Sequence, residues 1–266
     1  MQKVVITGAG GIAGTLLRPV LRDRYALVLV DRQPLTAQPG ERAVQGDILD
    51  RELLLDAFAG ATAIVHLAGI STEGGFEPMI DVNIRGTHTV LEAARECGVR
   101  RVLVASSAHA VGAAGIDRAH LLAPDDVAPG SFYGASKVAV EAISRVHASK
   151  FGMRIVLARI GTVLAEPRTK RQLATWLSPD DLGRLVDATV GLQQGGAFPV
   201  WAVSANARRW VDLSAGRVIG YVPRDDSEHF APPILANPDD DSLAWSTLGG
   251  PWSGPDPDFR WQEANP

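Results

Sequence analysis

The chain has 266 residues, 46% of them apolar, and a formal net charge of -4. That length suits one large α/β domain with a continuous core, and the mild acidity excludes general affinity for nucleic-acid backbones, which calls for a basic excess. Cys97 is the single cysteine, which excludes an intrachain disulfide and fits a cytoplasmic setting; the amino terminus shows neither a signal-peptide pattern nor a membrane span, so no membrane partner is expected.

In chain order, apolar runs rich in β-branched residues alternate with segments of helical period. Strands are expected at Val4–Thr7, Ala26–Val30, Arg42–Val44, Ala63–Leu67, Val102–Ser106 and Arg154–Arg159, and helices at Ile12–Arg24, Arg51–Phe58, Met79–Cys97 and Phe132–Phe151. Right-handed crossovers between such units make a doubly wound parallel sheet. After Gly161 the pattern loosens, with one helix expected at Pro179–Leu192 and one strand at Phe198–Val203. The stretch from Pro223 onward is rich in Pro and Asp, yet Phe230, Trp245, Trp252, Phe259 and Trp261 recur through it. Repeated large aromatics predict a tail pinned to the domain surface.

The segment "VVITGAGGIAG" sets Gly8, Gly11 and Gly14 between the first strand and the helix that opens at Ile12. Glycine there permits a tight turn, close approach of backbone to a pyrophosphate and tight helix packing, while the helix amino terminus attracts negative charge. Asp31 ends the second strand, where a carboxylate accepts hydrogen bonds from an adenosine ribose and repels a 2′-phosphate. The cofactor expected is therefore NAD, although Arg32 next to it is also placed to face a 2′-phosphate. "GDI" follows the third strand, with Asp47 expected near the adenine amino group and Ile48 over the ring. "HLAG" closes the fourth, putting Leu67, Ala68 and Gly69 beside the cofactor path and leaving His66 as a packed residue.

"FYGASK" places Tyr133 and Lys137 on one helix face. An ammonium near a phenolate is expected to lower the tyrosine pKa toward the range of a general base. Ser106 and Ser107 emerge from the fifth strand at the carboxyl edge of the sheet, where a hydroxyl can hold a substrate oxygen.

From "TGAGGIAG" through "GDI", "HLAG", "DVNIRGT", "SSAH" and "YGASK" to "RIGTVLAEP", the sequence resembles the extended short-chain dehydrogenase/reductase superfamily. The resemblance implies a Rossmann fold, with Tyr133 as catalytic base, Lys137 holding the nicotinamide ribose and Ser107 orienting the substrate. It also puts Asn83, Ser106 and Ile160 near the cofactor. The expected division is a cofactor-binding core over residues 1–160 and a smaller substrate-binding region over 161–266.

Fewer than 130 residues follow Lys137 in the chain of 266, little room for a lobe that holds a nucleotide sugar, so a small substrate is expected. Within the superfamily, "HLAGIS", "SSAHAVG", "RIGTVLAEPRTKRQLATWLSPDD", "VWAVSAN" and "GYVPRDD" resemble the uronate dehydrogenase family, which oxidises glucuronate or galacturonate at C1 with NAD. That resemblance implies substrate contacts from Ser71, the run Ser107, Ala108 and His109, Thr162, and Arg171 as a two-pronged clamp on the sugar carboxylate. Ala108 stands where the family commonly has Asn, and Thr162 where it often has Ser. Two other readings stay open: another small-substrate member of the superfamily, such as an epimerase, dehydratase or carbonyl reductase, and a non-catalytic dinucleotide-binding regulator. Within the basic run, Arg171 is thus expected on the sugar carboxylate and Arg168 and Lys170 as solvated or structural charges, with nucleic acid excluded as a partner. No histidine, cysteine or carboxylate spacing suggests a metal site, and the helices near Met79–Cys97 and Phe132–Phe151 are expected to pair in a homo-oligomer.

Overall fold

A computed structural model describes residues 1–254. The expected strands form as β1 (Lys3–Thr7), β2 (Ala26–Asp31), β3 (Glu41–Gln45), β4 (Ala63–His66), β5 (Arg101–Ser107) and β6 (Arg154–Ile160). Further on come β7 (Thr162–Val163), β8 (Trp176–Leu177) and β9 (Gly196–Ala202). Helices are α1 (Ile12–Leu21), α2 (Arg51–Phe58), α3 (Phe76–Met79), α4 (Gly86–Glu96), α5 (Phe132–Phe151), α6 (Gln172–Thr175), α7 (Pro179–Gly191) and α8 (Ala231–Leu235). The helix expected over Met79–Cys97 is not uniform: Ile80–Arg85 is wound as a π-helix before α4 begins. Phe259 and Trp261 lie outside the described residues.

Seven strands make one parallel sheet in the order β3-β2-β1-β4-β5-β6-β9. The order reverses between β1 and β4, and the crevice beyond the carboxyl ends of these strands is where open α/β sheets bind ligands. Continuous apolar runs such as Val4-Val5-Ile6 serve because both faces are covered. Leu17 and Leu21 of α1 and Leu182, Leu185 and Val186 of α7 bury one face. Leu54 and Phe58 of α2, Val90 and Leu91 of α4 and Val140 of α5 bury the other.

Residues after 160 build part of this core. β9 lies along Arg154–Ile160 and so covers the edge that β6 would otherwise expose, while α7 completes one apolar face. Local chemistry sets the helix ends. The Ser131 hydroxyl accepts from the Gly134 amide at 3.0 Å to start α5, and Gly152, at φ +63°, ends it in the left-handed region. Ser178 caps α7 just before Pro179.

His66, expected as a packed residue, links the layers: its Nδ1 lies 2.7 Å from Thr7 Oγ1 and its Nε2 3.0 Å from Thr87 Oγ1. Burial pushes its pKa down to about 3, and the Lys137 charge adds to the effect. An unfolded histidine titrates near ~6.5, so below that pH the unfolded chain takes up a proton that the folded site refuses. Stability should then fall by about 1.4 kcal/mol per pH unit from this group, until the folded pKa is reached. His66→Gln should lose less stability than the wild type in urea unfolding compared at about pH 7 and about pH 5.

Candidate active site

The crevice is a cleft of about 720 Å³ at the carboxyl edge of the sheet. At one end lies the glycine turn. Gly8 has φ +72°, and a Cβ on Gly14 would come within 2.6 Å of Gly8 O. The helix and turn therefore close only with glycine at these positions, and a path is left for a diphosphate over Gly8, Gly11, Ile12 and Gly14, all of which line the cleft. Leu67, Gly69, Ser106 and Ile160 line it further on.

Other expected cofactor residues work around the cleft. Asp31 accepts from the Gly10 amide at 2.8 Å and from Gln33 N at 3.0 Å, so its carboxylate sits against the glycine turn; Arg32 is exposed beside it. Asp47 accepts from Leu49 N at 2.9 Å. Ile48, expected over the adenine ring, is buried, and its Cδ1 fills the space a Cβ on Gly86 would need. Asn83 lies against α5, its amide engaged on both sides. Its Oδ1 accepts from Ile70 N at 2.8 Å, and its Nδ2 donates to Ile70 O and Ser136 Oγ. Both ends of the amide thus tie the loop after β4 to α5. Ala68 backbone occupies the place where a Gly8 side chain would stand, which fixes that loop against the turn.

Tyr133, Lys137 and Ser107 converge in the middle of the cleft. Lys137 Nζ donates to Ala105 O at 2.9 Å and lies 5.6 Å from the Tyr133 ring centroid. Burial depresses the Lys137 pKa to about 8 and raises that of Tyr133 to about 12, with a Ser107 hydrogen bond pulling the latter down. The expectation that the lysine lowers the tyrosine pKa is therefore not met in this state: desolvation of the phenol outweighs every favourable contact. The same desolvation keeps the ammonium easy to deprotonate.

Two carboxylates, neither evident in the sequence, hold the helix that carries this pair. Glu73, buried, accepts from the backbone amides of Phe132 at 3.0 Å and Tyr133 at 2.8 Å, a negative charge at the positive end of α5. Glu141 continues the Tyr133 and Lys137 stripe below the cleft. Its carboxylate accepts from Ser106 Oγ at 2.6 Å and from Arg159 Nε and Nη2, each at 2.9 Å. Arg159 is 1% exposed and its Nη2 also donates to Asp126 O. Ser106 precedes Ser107 and Arg159 precedes Ile160, so one ion pair joins α5 to the ends of β5 and β6.

The substrate end is lined by Ser71, Ser107, His109, Thr162 and Arg171. Ala108 is 9% exposed and packs in an apolar cluster with Trp201 and Leu248, not in the cleft wall. Thr162 Oγ1 lies 3.0 Å from Thr175 Oγ1. The basic run separates by environment: Arg168 is exposed at the cleft rim, Lys170 is held by Asp240, and Arg171 lines the cleft with a buried Nη1. Its Nη2 donates to Thr247 O at 2.8 Å and Leu248 O at 2.5 Å, its Cζ lies 4.9 Å from the Trp210 ring centroid, and Nη1 is buried without a partner. The two-pronged clamp is thus reduced, because the hydrogens of Nη2 serve backbone carbonyls. No carboxylate among the described residues pairs with this guanidinium, and burial lowers its pKa to about 10.

Trp252 is the functional candidate that the sequence reading missed. Residues 246–249 pair with 112–116 through Ile116 N to Ser246 O, Leu248 N to Ala114 O and Gly249 N to Gly112 O. This pairing carries Trp252 to a ring-centroid distance of 4.6 Å from His109 and 5.8 Å from Tyr133. His109 Nδ1 is buried without a partner, and burial lowers its pKa to about 4. A periodic pattern could not have found Trp252, since its place depends on a pairing far along the chain.

The fold and cleft define an enzyme built around a dinucleotide. Residues 4–214 match the model of the NAD dependent epimerase/dehydratase family, and the chain belongs to that family. A uronate dehydrogenase of Pseudomonas putida is 36% identical over 265 residues, covering 95% of this chain and 98% of that protein. One from Agrobacterium fabrum is 38% identical over 233 residues, covering 86% and 87%. The crystal structure of a mutant uronate dehydrogenase from Agrobacterium tumefaciens complexed with NAD superposes with a TM-score of 0.86, at 35% identity over 95% of this chain and 97% of that one.

Breaking a buried ion pair from one side leaves an uncompensated charge. Glu141→Gln should therefore cost about 3–5 kcal/mol in urea unfolding. The double variant Glu141→Gln with Arg159→Met should lose less than the two single variants summed.

Proposed function

We propose that the protein oxidises a hexuronic acid such as glucuronate or galacturonate at C1, yielding the aldarolactone, with NAD as its cofactor. The observation that carries this reading is Arg171: a half-buried arginine whose Nη1 is buried and free, with no acidic partner among the described residues. A substrate carboxylate supplies the missing charge, and a neutral sugar does not. The uronate dehydrogenases similar along nearly the whole chain support it.

The glycine turn with Asp31 and Asp47 would hold the adenosine and diphosphate, and Lys137 the nicotinamide ribose; when bound, NAD supplies the hydride acceptor. Ser107 holds the C1 hydroxyl, and Tyr133 takes its proton at the phenolic oxygen. That transfer needs the phenol ionised, and the Lys137 ammonium, 5.6 Å from the ring centroid, is the charge placed to favour it. Arg171 Nη1 binds the carboxylate, Ser71 and Thr162 offer hydroxyls to the sugar, and Trp252 with His109 excludes water from the reacting carbon. In this reading residues up to 160 bind mainly the cofactor and those beyond mainly the substrate, the chain works in the cytoplasm, and copies pair through α4 and α5.

Absorbance of NADH with each uronate, run with NAD and NADP in parallel, tests the proposal; silence with both sugars overturns it. Tyr133→Phe should lower kcat by about 10²–10⁴-fold. Arg171→Met should raise KM for the uronates by about 10–100-fold, the worth of a hydrogen bond to a charged group, and leave KM for NAD nearly unchanged.

A further inference from the structure

We propose that His88, Glu92 and His147 form a binding site for a divalent first-row metal ion, zinc above others, which staples α4 to α5. None of the three lines the cleft, so the site lies apart from the chemistry described above. His88 and Glu92, four residues apart, share one face of α4, and His147 comes from the neighbouring α5. One ligand atom from each lies within 4.8 Å of the other two.

The side chains are already oriented as ligands. His147 Nδ1 is 3.0 Å from Ile143 O, and its Nε2 is 2.8 Å from Glu92 Oε1. In the metal-free chain His147 Nε2 and Glu92 Oε1 share one hydrogen. A cation entering there replaces that hydrogen and moves the two atoms apart to the spacing of two metal bonds. A histidine ligand whose other ring nitrogen donates to a backbone carbonyl is the arrangement that fixes the tautomer at metal sites. Glu92 is fixed as well: its Oε2 accepts from Arg95 Nη2 at 2.8 Å and Nε at 3.2 Å, and those bonds hold the carboxyl below its ordinary range and ionised.

His88 completes the set from the solvent side. It is exposed, its ring edge-on to His147 at a centroid distance of 5.7 Å. Bonds of about 2.0–2.2 Å to nitrogen and oxygen put tetrahedral ligands roughly 3.3–3.5 Å apart. Rotation of the exposed His88 side chain closes that gap at small cost, and the fourth position stays open to water. Two imidazoles with one carboxylate favour zinc over calcium or magnesium, which prefer all-oxygen shells.

The test is titration of the metal-free full-length chain with Zn²⁺ alone, by calorimetry and by thermal unfolding. One ion should bind per chain and raise Tm, whereas Mg²⁺ at the same concentration should do neither. His88→Ala removes no hydrogen bond or ion pair among the described residues and should fold, assemble by size exclusion and turn over as the wild type does, yet bind Zn²⁺ at least tenfold more weakly; Glu92→Gln should do the same for zinc. No saturable binding, or His88→Ala binding zinc as tightly as the wild type, overturns the proposal. Neither readout requires the uronate reaction.

Discussion

Burying a phenol and an ammonium side by side on α5 is the constraint around which the rest of the structure is arranged. Desolvation raises the Tyr133 pKa to about 12 against a Ser107 hydrogen bond and lowers that of Lys137 to about 8, so the phenol resists ionisation and the ammonium holds its proton less firmly than in water. Such groups stay in place only if their helix cannot move. Glu73 holds its first turn by backbone amides, Asn83 binds Ser136 to the loop after β4, and Glu141 ties its buried face to Ser106 and Arg159. Ser106, Arg159 and the loop after β4 thus anchor α5 from segments that also border the cleft.

The two ends of the cleft are built by different physics. The cofactor end is backbone: a turn closed by glycines, a helix amino terminus and a carboxylate that accepts from the turn itself. It is rigid because side chains are missing. The substrate end is made of side chains brought from far along the chain, where the pairing of 246–249 with 112–116 seats Trp252 over His109 and gives Arg171 two carbonyls to hold. Arg171 is therefore both a strut for that segment and, through Nη1, a free charge.

The sequence reading followed periodicity and spacing, and it succeeded where those are sufficient. Six strands of the sheet and the helix Phe132–Phe151 appear in the structure within a residue or so of their expected bounds, since continuous apolar runs and capping residues act locally. It did not extend to the choice a side chain makes among several partners. Ile48 turned inward because Gly86 leaves a hole for it, and Asn83 spent its amide on Ile70 and Ser136. Ala108 went to the apolar cluster under Trp201. Glu73 and Glu141 belong to none of the motifs, and only the fold buries them.

By itself the sequence determined the alternation of strand and helix, the glycine turn, and the placing of Tyr133 and Lys137 on one face, because each depends on residues a few positions apart. Tertiary structure alone decided which charges are buried, that Arg171 spends Nη2 on the carbonyls of Thr247 and Leu248, and that His147 meets His88 and Glu92. Those outcomes rest on desolvation and on contacts between distant segments, and both exist only once the sheet has been covered on its two faces.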